Sequence, residues 1–241
     1  MKFLCNIEKK AELQDQFQEH IKEKEAVRRK KDAAKYDTDP FLSAATFDLQ
    51  QVIFLPKAND NMLYYKRRLG NYNLTIYNLQ TKACHCFTWH EGQGKRGSSE
   101  IGTCLSIYLD QLDAAGVKTV KLFADGCPGQ NKNSVIRAML LHSASKLISI
   151  EKIHLMFFEA YHGQNEGDSA HSAISTALDN VGDLYVPSQL IPIFRLARKK
   201  ILILFIQSRL LIFLILRRWQ KFFVYYPFEL TTEEILLIGQ R

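Results

Sequence analysis

Thr119-Val120-Lys121-Leu122-Phe123-Ala124-Asp125-Gly126-Cys127-Pro128-Gly129-Gln130-Asn131 is the stretch on which the reading of this chain turns. A short apolar run that closes on a carboxylate and then turns through Gly-Cys-Pro-Gly reads as a buried strand feeding a loop. Open α/β sheets gather ligand-binding groups at the carboxyl ends of their strands. Asp125 is therefore the leading candidate for a chemical role; an aspartate that only turns or caps the chain is the plainer account of it.

Working outward, Asn131 to Ile148 reads as a helix and Ile153 to Phe158 as a second apolar strand, with a last helix starting near Asp168. On the N-terminal side, Ser98 or Ser99 is placed to cap a helix whose stripe is Ile101, Leu105, Tyr108, Leu109 and Leu112 and which Gly116 ends. Before it lies a glycine-rich loop, Gly92 to Gly97, expected to be flexible and solvated. It lacks the Gly-Lys-Ser/Thr spacing of a phosphate-cradling Walker loop.

Ser43–Leu49, Asn71–Leu79 and Ala83–Trp89 read as strands, the last two as a hairpin. Pro56–Asn61 reads as a loop, and Leu63–Leu69 as a short helix or a strand. The order is three strands, helix, strand, helix, strand, helix. That is the order of a ribonuclease-H-like mixed α/β sheet, and it predicts that fold for residues 41–190. Residues 8–36, dense in Glu, Lys, Gln and Ala, predict a solvated helix within a charged segment 1–40, ended by Asp39-Pro40. Within it, Arg28-Arg29-Lys30-Lys31 reads as one polar face, or as a nuclear signal or phosphate-binding patch.

Composition narrows the class further. The 241 residues are 46% hydrophobic and 24% charged, which excludes disordered, collagenous and disulfide-scaffold chains. Of the net charge of +7, most lies in residues 191–241, where nine basic residues face three acidic ones; the middle of the chain is neutral. Net charge is therefore weak support for a nucleic-acid partner. Five cysteines, none in a C-x-x-C pair, and the lack of a secretory leader point to a nuclear or cytoplasmic location.

Metal-dependent phosphodiester chemistry needs about three converging carboxylates. The fold expected here supplies them from its first strand, its fourth strand and its last helix, at Asp48, Asp125 and Asp168. Glu166 is the alternative third acid. Asp48 reads otherwise as a polar residue on an edge strand, and Asp168 as a helix N-cap. Lys95, Arg96 and Lys132 are candidate contacts to a DNA backbone. Zinc is not expected at Cys84-His85-Cys86 or at His162 with His171, since neither has ligand spacing of the usual kind. The two cysteines read as core or cross-strand filler. Cys127 as a nucleophile lacks a pairing signal.

Taken together, several motifs form one pattern: Phe47-Asp48-Leu49-Gln50-Gln51, Tyr64-Tyr65-Lys66-Arg67, Trp89-His90-Glu91, Arg96-Gly97-Ser98-Ser99-Glu100-Ile101, Asp125 to Asn133 and His162 to Ser172. As a set they resemble a family of transposable-element-derived proteins, abundant in insect and other animal genomes, with a DDE-type transposase core. The resemblance spans about residues 8–200. It implies catalytic acids at Asp48, Asp125 and Asp168, Mg²⁺ or Mn²⁺ as cofactor, DNA as partner, a possible homo-oligomer, and DNA cleavage or strand transfer. A catalytically inactive binding remnant, or a decayed reading frame, is the competing expectation.

Relative to that family the front reads as truncated, only Cys5 and His20 standing where it carries Cys/His metal-binding character. The tail, 191–241, reads as anomalous and frame-shifted from Ile201 onward. A membrane anchor is disfavoured there, because residues 201–216 give only 16 positions interrupted by Arg209, against roughly 20 for a span. A buried strand or helix completing the core, or an aggregation-prone run, are the other readings.

Overall fold

A computed structural model describes residues 14, 18, 21, 22, 24–58, 60, 62, 65–158 and 166–197, together with the backbone of 201–205 and 234–238. Expectations placed on Cys5, His20, Tyr64, His162 and most of the tail fall outside the described residues.

Residues 24–36 are helical (α1). There follow β1 (Leu42–Leu49), β2 (Ile53–Leu55), β3 (Leu69–Asn78), β4 (Cys84–His90), α2 (Ser98–Ala114), β5 (Thr119–Asp125), α3 (Ser134–Lys146), β6 (Lys152–Phe158), α4 (Glu166–Asp179), α5 (Leu190–Ala197), β7 (Ile201–Phe205) and β8 (Glu234–Ile238). The strands form one mixed, open sheet in the order β7-β4-β3-β1-β5-β6-β8, with β2 paired to β3. β1 runs antiparallel to β3 and parallel to β5, and β5 runs parallel to β6. This α/β connectivity is compatible with the ribonuclease-H-like arrangement expected.

The alternation of side chains along each strand sorts the core into two layers. Ala45, Phe47, Leu49, Leu122, Ala124, Leu155 and Phe157 face α2 and α3. Ala44, Phe123, Met156 and Phe158 face the opposite side, with Ile174 and Leu178 of α4 and Phe194 of α5. Strands covered on both faces must be apolar throughout, so the near-continuous runs of β5 and β6 are the mark of a sheet interior.

Helix ends depart from expectation in an instructive way. The N-cap of α2 is Gly97, and neither Ser98 nor Ser99 holds the end by a side-chain cap. The adjoining loop is instead pinned: Glu100 Oε1 accepts from Lys95 N at 2.8 Å, and Trp89 Nε1 donates to the Lys95 carbonyl at 3.0 Å. A Cβ on Gly94 would stand 3.0 Å from Glu100 Cγ, so a side chain there would require Glu100 to shift by a few tenths of an ångström. The loop Gly92–Gly97 is thus an ordered arm. At the other end of α2, Gly116 has φ +78°, the left-handed conformation that closes a helix.

α3 begins with a side-chain cap: Asn133 Oδ1 accepts from Val135 N and Ile136 N, each at 3.1 Å. Asn133→Ala is expected to lose about 1 kcal/mol of stability, read as a lower urea midpoint with an unchanged slope; an unaltered midpoint would refute the cap's contribution.

α1 is not solvated all round. Val27, Lys31 and Ala34 are buried and lie along one face. Lys31, from the basic run, reaches Glu166 at 3.0 Å and lies 5.5 Å from the centre of the Phe158 ring. Arg28, Arg29 and Lys30 stay exposed. In the tail, the backbone of Ile201–Phe205 pairs with β4 and that of Glu234–Ile238 with β6. No helix among the described residues is long and apolar enough to cross a membrane.

Candidate metal centre

Asp48 lies two residues after Thr46 on β1, and Thr46 pairs with Phe123 of β5. Continuing that parallel register by two residues sets Asp48 beside Asp125. Both have the parity of the layer that faces α4, since their neighbours Phe47 and Ala124 point to the α2/α3 layer. β1 is flanked by β3 and β5, so Asp48 stands on an interior strand and not on an edge.

α4 packs over β1 and β3, and three residues along its axis bring Asp168 and His171 onto one face. Ligand atoms of Asp48, Asp168 and His171 all lie within 4.8 Å of one another. Asp125 is outside this group, yet it acts on Asp48 and feels Asp168 through its charge. Glu166, the alternative third acid, is engaged elsewhere: it holds Lys31 at 3.0 Å and Lys35 at 3.3 Å, tying the first turn of α4 to α1.

The site is held from behind by amides. Asn73 Nδ2 donates to Gln50 Oε1 at 2.8 Å, and Gln50 Nε2 donates to the His171 carbonyl at 3.3 Å. Gln50 and Asn73 are buried, so this network locks α4 against β1 and β3 in a medium where hydrogen bonds hold geometry firmly. Leu49 N donates to Asp48 Oδ1 at 2.8 Å, and Asp48 Oδ2 stands 3.8 Å from His171 Nδ1.

Electrostatics follow from this enclosure. Burial, reinforced by the charges of Asp125 and Asp168, pushes Asp48 up to about 7, although the Leu49 amide and Arg96 oppose the shift. Burial and the Asp168 charge raise Asp125 as well. Burial pushes His171 down to about 4 against the pull of Asp168, so its imidazole is neutral at physiological pH. His171 Nε2 is buried with no hydrogen-bond partner among the described residues. Two carboxylates and a neutral imidazole fit a divalent cation: the donors are of the right type, and repulsion between the acids is relieved by a positive charge.

His171 is the residue that sequence reasoning failed to place, having weighed it only with His162 as a zinc pair. Its spacing of three from Asp168 on a helix was the available signal. Of the proposed DNA contacts, Lys95 and Arg96 are exposed on the ordered loop, and Arg96 lies near enough to act on Asp48. Lys132 Nζ lies 5.7 Å from the Phe157 ring centre. Cys84 and Cys86 are fully buried, with sulfurs 3.9 Å apart in the core. His85, with the opposite parity on the strand, packs edge-on against Tyr108. Cys127 is an exposed free thiol.

Comparison with known protein families, curated proteins and solved structures gives no match.

Proposed function

We propose that this chain is a ribonuclease-H-like nuclease domain of the metal-dependent kind. More particularly, it is a transposon-derived, DDE-type transposase or integrase-like domain that cleaves or joins DNA strands. The observation that carries this reading is the meeting of Asp48 from β1 with Asp168 and His171 from α4 beside Asp125 at the end of β5. The strand order and the motif resemblance support it independently.

Asp48, Asp168 and His171 would hold a Mn²⁺ or Mg²⁺ ion, and an imidazole among the donors favours Mn²⁺ over Mg²⁺. The ion supplies charge stabilisation to the phosphoryl oxygens of an in-line displacement. Asp125, exposed at its strand end and with its pKa raised by burial and the Asp168 charge, is suited to accept the proton of an attacking water or 3′-hydroxyl. Arg96 on its pinned loop faces the same region and would bind the anionic backbone, and Lys95 on the same loop extends that contact, whereas Lys132 packs over Phe157 of the opposite layer.

Asp125→Asn is expected to lower Mn²⁺-dependent cleavage of DNA by about 10²–10⁴-fold while leaving the circular dichroism spectrum and Mn²⁺ affinity in place. Unchanged cleavage would remove Asp125 from the mechanism. One observation favours a second reading, a DNA- or protein-binding module without turnover: Asp125 stands outside the group of close donors. That reading requires the parent chain to bind DNA and leave it uncut.

A further inference from the structure

A cavity of about 360 Å³ opens between the β3–β4 hairpin and α5, on the sheet face that carries the metal centre. We propose that it receives one unstacked nucleobase of the strand held at that centre, an inference that rests on the nuclease reading above.

Register connects the two places. Asp48 pairs with Thr75 on β3, and Thr75, Asn73 and Asn71 are successive residues of one face. Asn71 lines the cavity, as does Thr88, the β4 partner of Asn73. Four residues of strand span about 14 Å, roughly four steps of a base stack at 3.4 Å. Asn71, Asn73 and Thr75 are all buried under helices, where a sheet normally carries apolar side chains. This buried polar row links the acids to the cavity within the protein, with the Asn73 amide donating to Gln50, and Asn73 Oδ1 on it has no hydrogen-bond partner among the described residues.

The lining specifies the occupant. No Lys, Arg, Asp or Glu is among the described residues that line it, so the group received is neutral, unlike a phosphate. Asn71 Nδ2 donates to the Ile53 and Leu69 carbonyls, Gln93 Oε1 accepts from His90 N and His90 Nδ1 accepts from Gly92 N. The Thr88 hydroxyl, Gln93 Nε2 and His90 Nε2 are therefore the groups offered to a ligand with donors and acceptors on its edge. Leu190 and Phe194 of α5 supply an apolar wall for a flat ring. A neutral, planar, hydrogen-bonding group tethered to an anionic chain is a nucleobase. Gln93 and Ser188 are exposed, so the cavity has an open mouth.

The test uses the full chain and a single-stranded DNA hexamer carrying 2-aminopurine, titrated in EDTA. Binding is expected to change the 2-aminopurine emission. Ile191→Trp on α5 and Ser188→Trp on the preceding turn, which fill the cavity from two separate elements, are each expected to weaken binding about tenfold or more, the scale of one lost base stack. Mn²⁺ affinity, titrated separately, is expected to be the same in parent and fillers. If Mn²⁺ binds and both folded fillers bind the hexamer like the parent, or the parent leaves the emission unchanged, the base site is overturned and the metal reading stands. If Mn²⁺ does not bind but the fillers still weaken the hexamer, the base site holds and the metal reading falls.

Discussion

Asp48→Asn is expected to remove Mn²⁺ binding and, in the metal-free protein, to raise stability at alkaline pH. The loss of affinity should exceed the roughly 10–100-fold that supporting residues cost, because a donor itself is neutralised. Asparagine retains an oxygen for the Leu49 amide, so the strand geometry survives. The stability effect follows from burial, which pushes Asp48 from its ordinary value near 4 to about 7. An acid whose folded pKa is raised binds its proton in the folded state after the unfolded chain has released it. Stability is therefore lost as pH rises from about 4 through 7.

At about 1.4 kcal/mol per pKa unit, the ionised Asp48 costs on the order of 3 kcal/mol above pH 7, with some relief from its solvent access. His171 works in the opposite direction. Its folded pKa is depressed to about 4, so it contributes stability present near pH 6.5 and lost as pH falls toward 4. In the parent the two slopes oppose each other between about pH 4 and 6.5, and only the Asp48 loss remains above that. Melting temperatures in EDTA at pH 5, 6.5 and 8 would show this. The variant should gain stability from pH 5 to 6.5 and exceed the parent most at pH 8; a variant no more stable than the parent at pH 8 would refute the strained-acid account.

Phe47→Ala is expected to cost about 3–5 kcal/mol, a large part of the 5–15 kcal/mol typical of a folded domain. Phe47 is fully buried on an interior strand, between Asp48 and the helices of the opposite layer. Its removal takes away both transfer energy and packing, because α2 and α3 cannot close on the gap fully. Phe41, half exposed just before β1 with Lys118 over its ring, serves as the control, and its replacement by alanine should cost only about 1 kcal/mol. Urea denaturation distinguishes them. Equal midpoints for the two variants would mean that the Phe47 layer does not hold the sheet.

Most of the architecture was legible from local pattern, because strand and helix periods are set within a few residues. Thr119–Ala124 reads as a strand closing on Asp125, and β5 spans Thr119–Asp125, with the apolar run and the turn after it defining both ends. Boundaries moved where tertiary contacts decide them. β3 begins at Leu69, earlier than alternation suggested, because it pairs with Ile53–Leu55, a three-residue strand too short to register in a sequence. In the first described turn of α4, Glu166 is held by Lys31 and Lys35 of α1, contacts that the local sequence does not announce. The basic run of α1 reads as one solvated face, but burial of Lys31 depends on a partner 135 residues away.

While β2, α5, β7 and β8 go unread, local pattern alone carries the order of three strands, helix, strand, helix, strand, helix, the apolar faces, and the acids on β1, β5 and α4. Those follow from side-chain period, turn chemistry and spacing, all of which act locally. Tertiary structure alone decided which donors meet. His171 joins Asp48 and Asp168, while Glu166 turns away to Lys31 and Lys35, because helix phase and the crossing of α4 over β1 are set by long-range packing. It also decided the protonation of the site, since the rise of Asp48 and the fall of His171 come from burial beneath a helix that is distant in the chain.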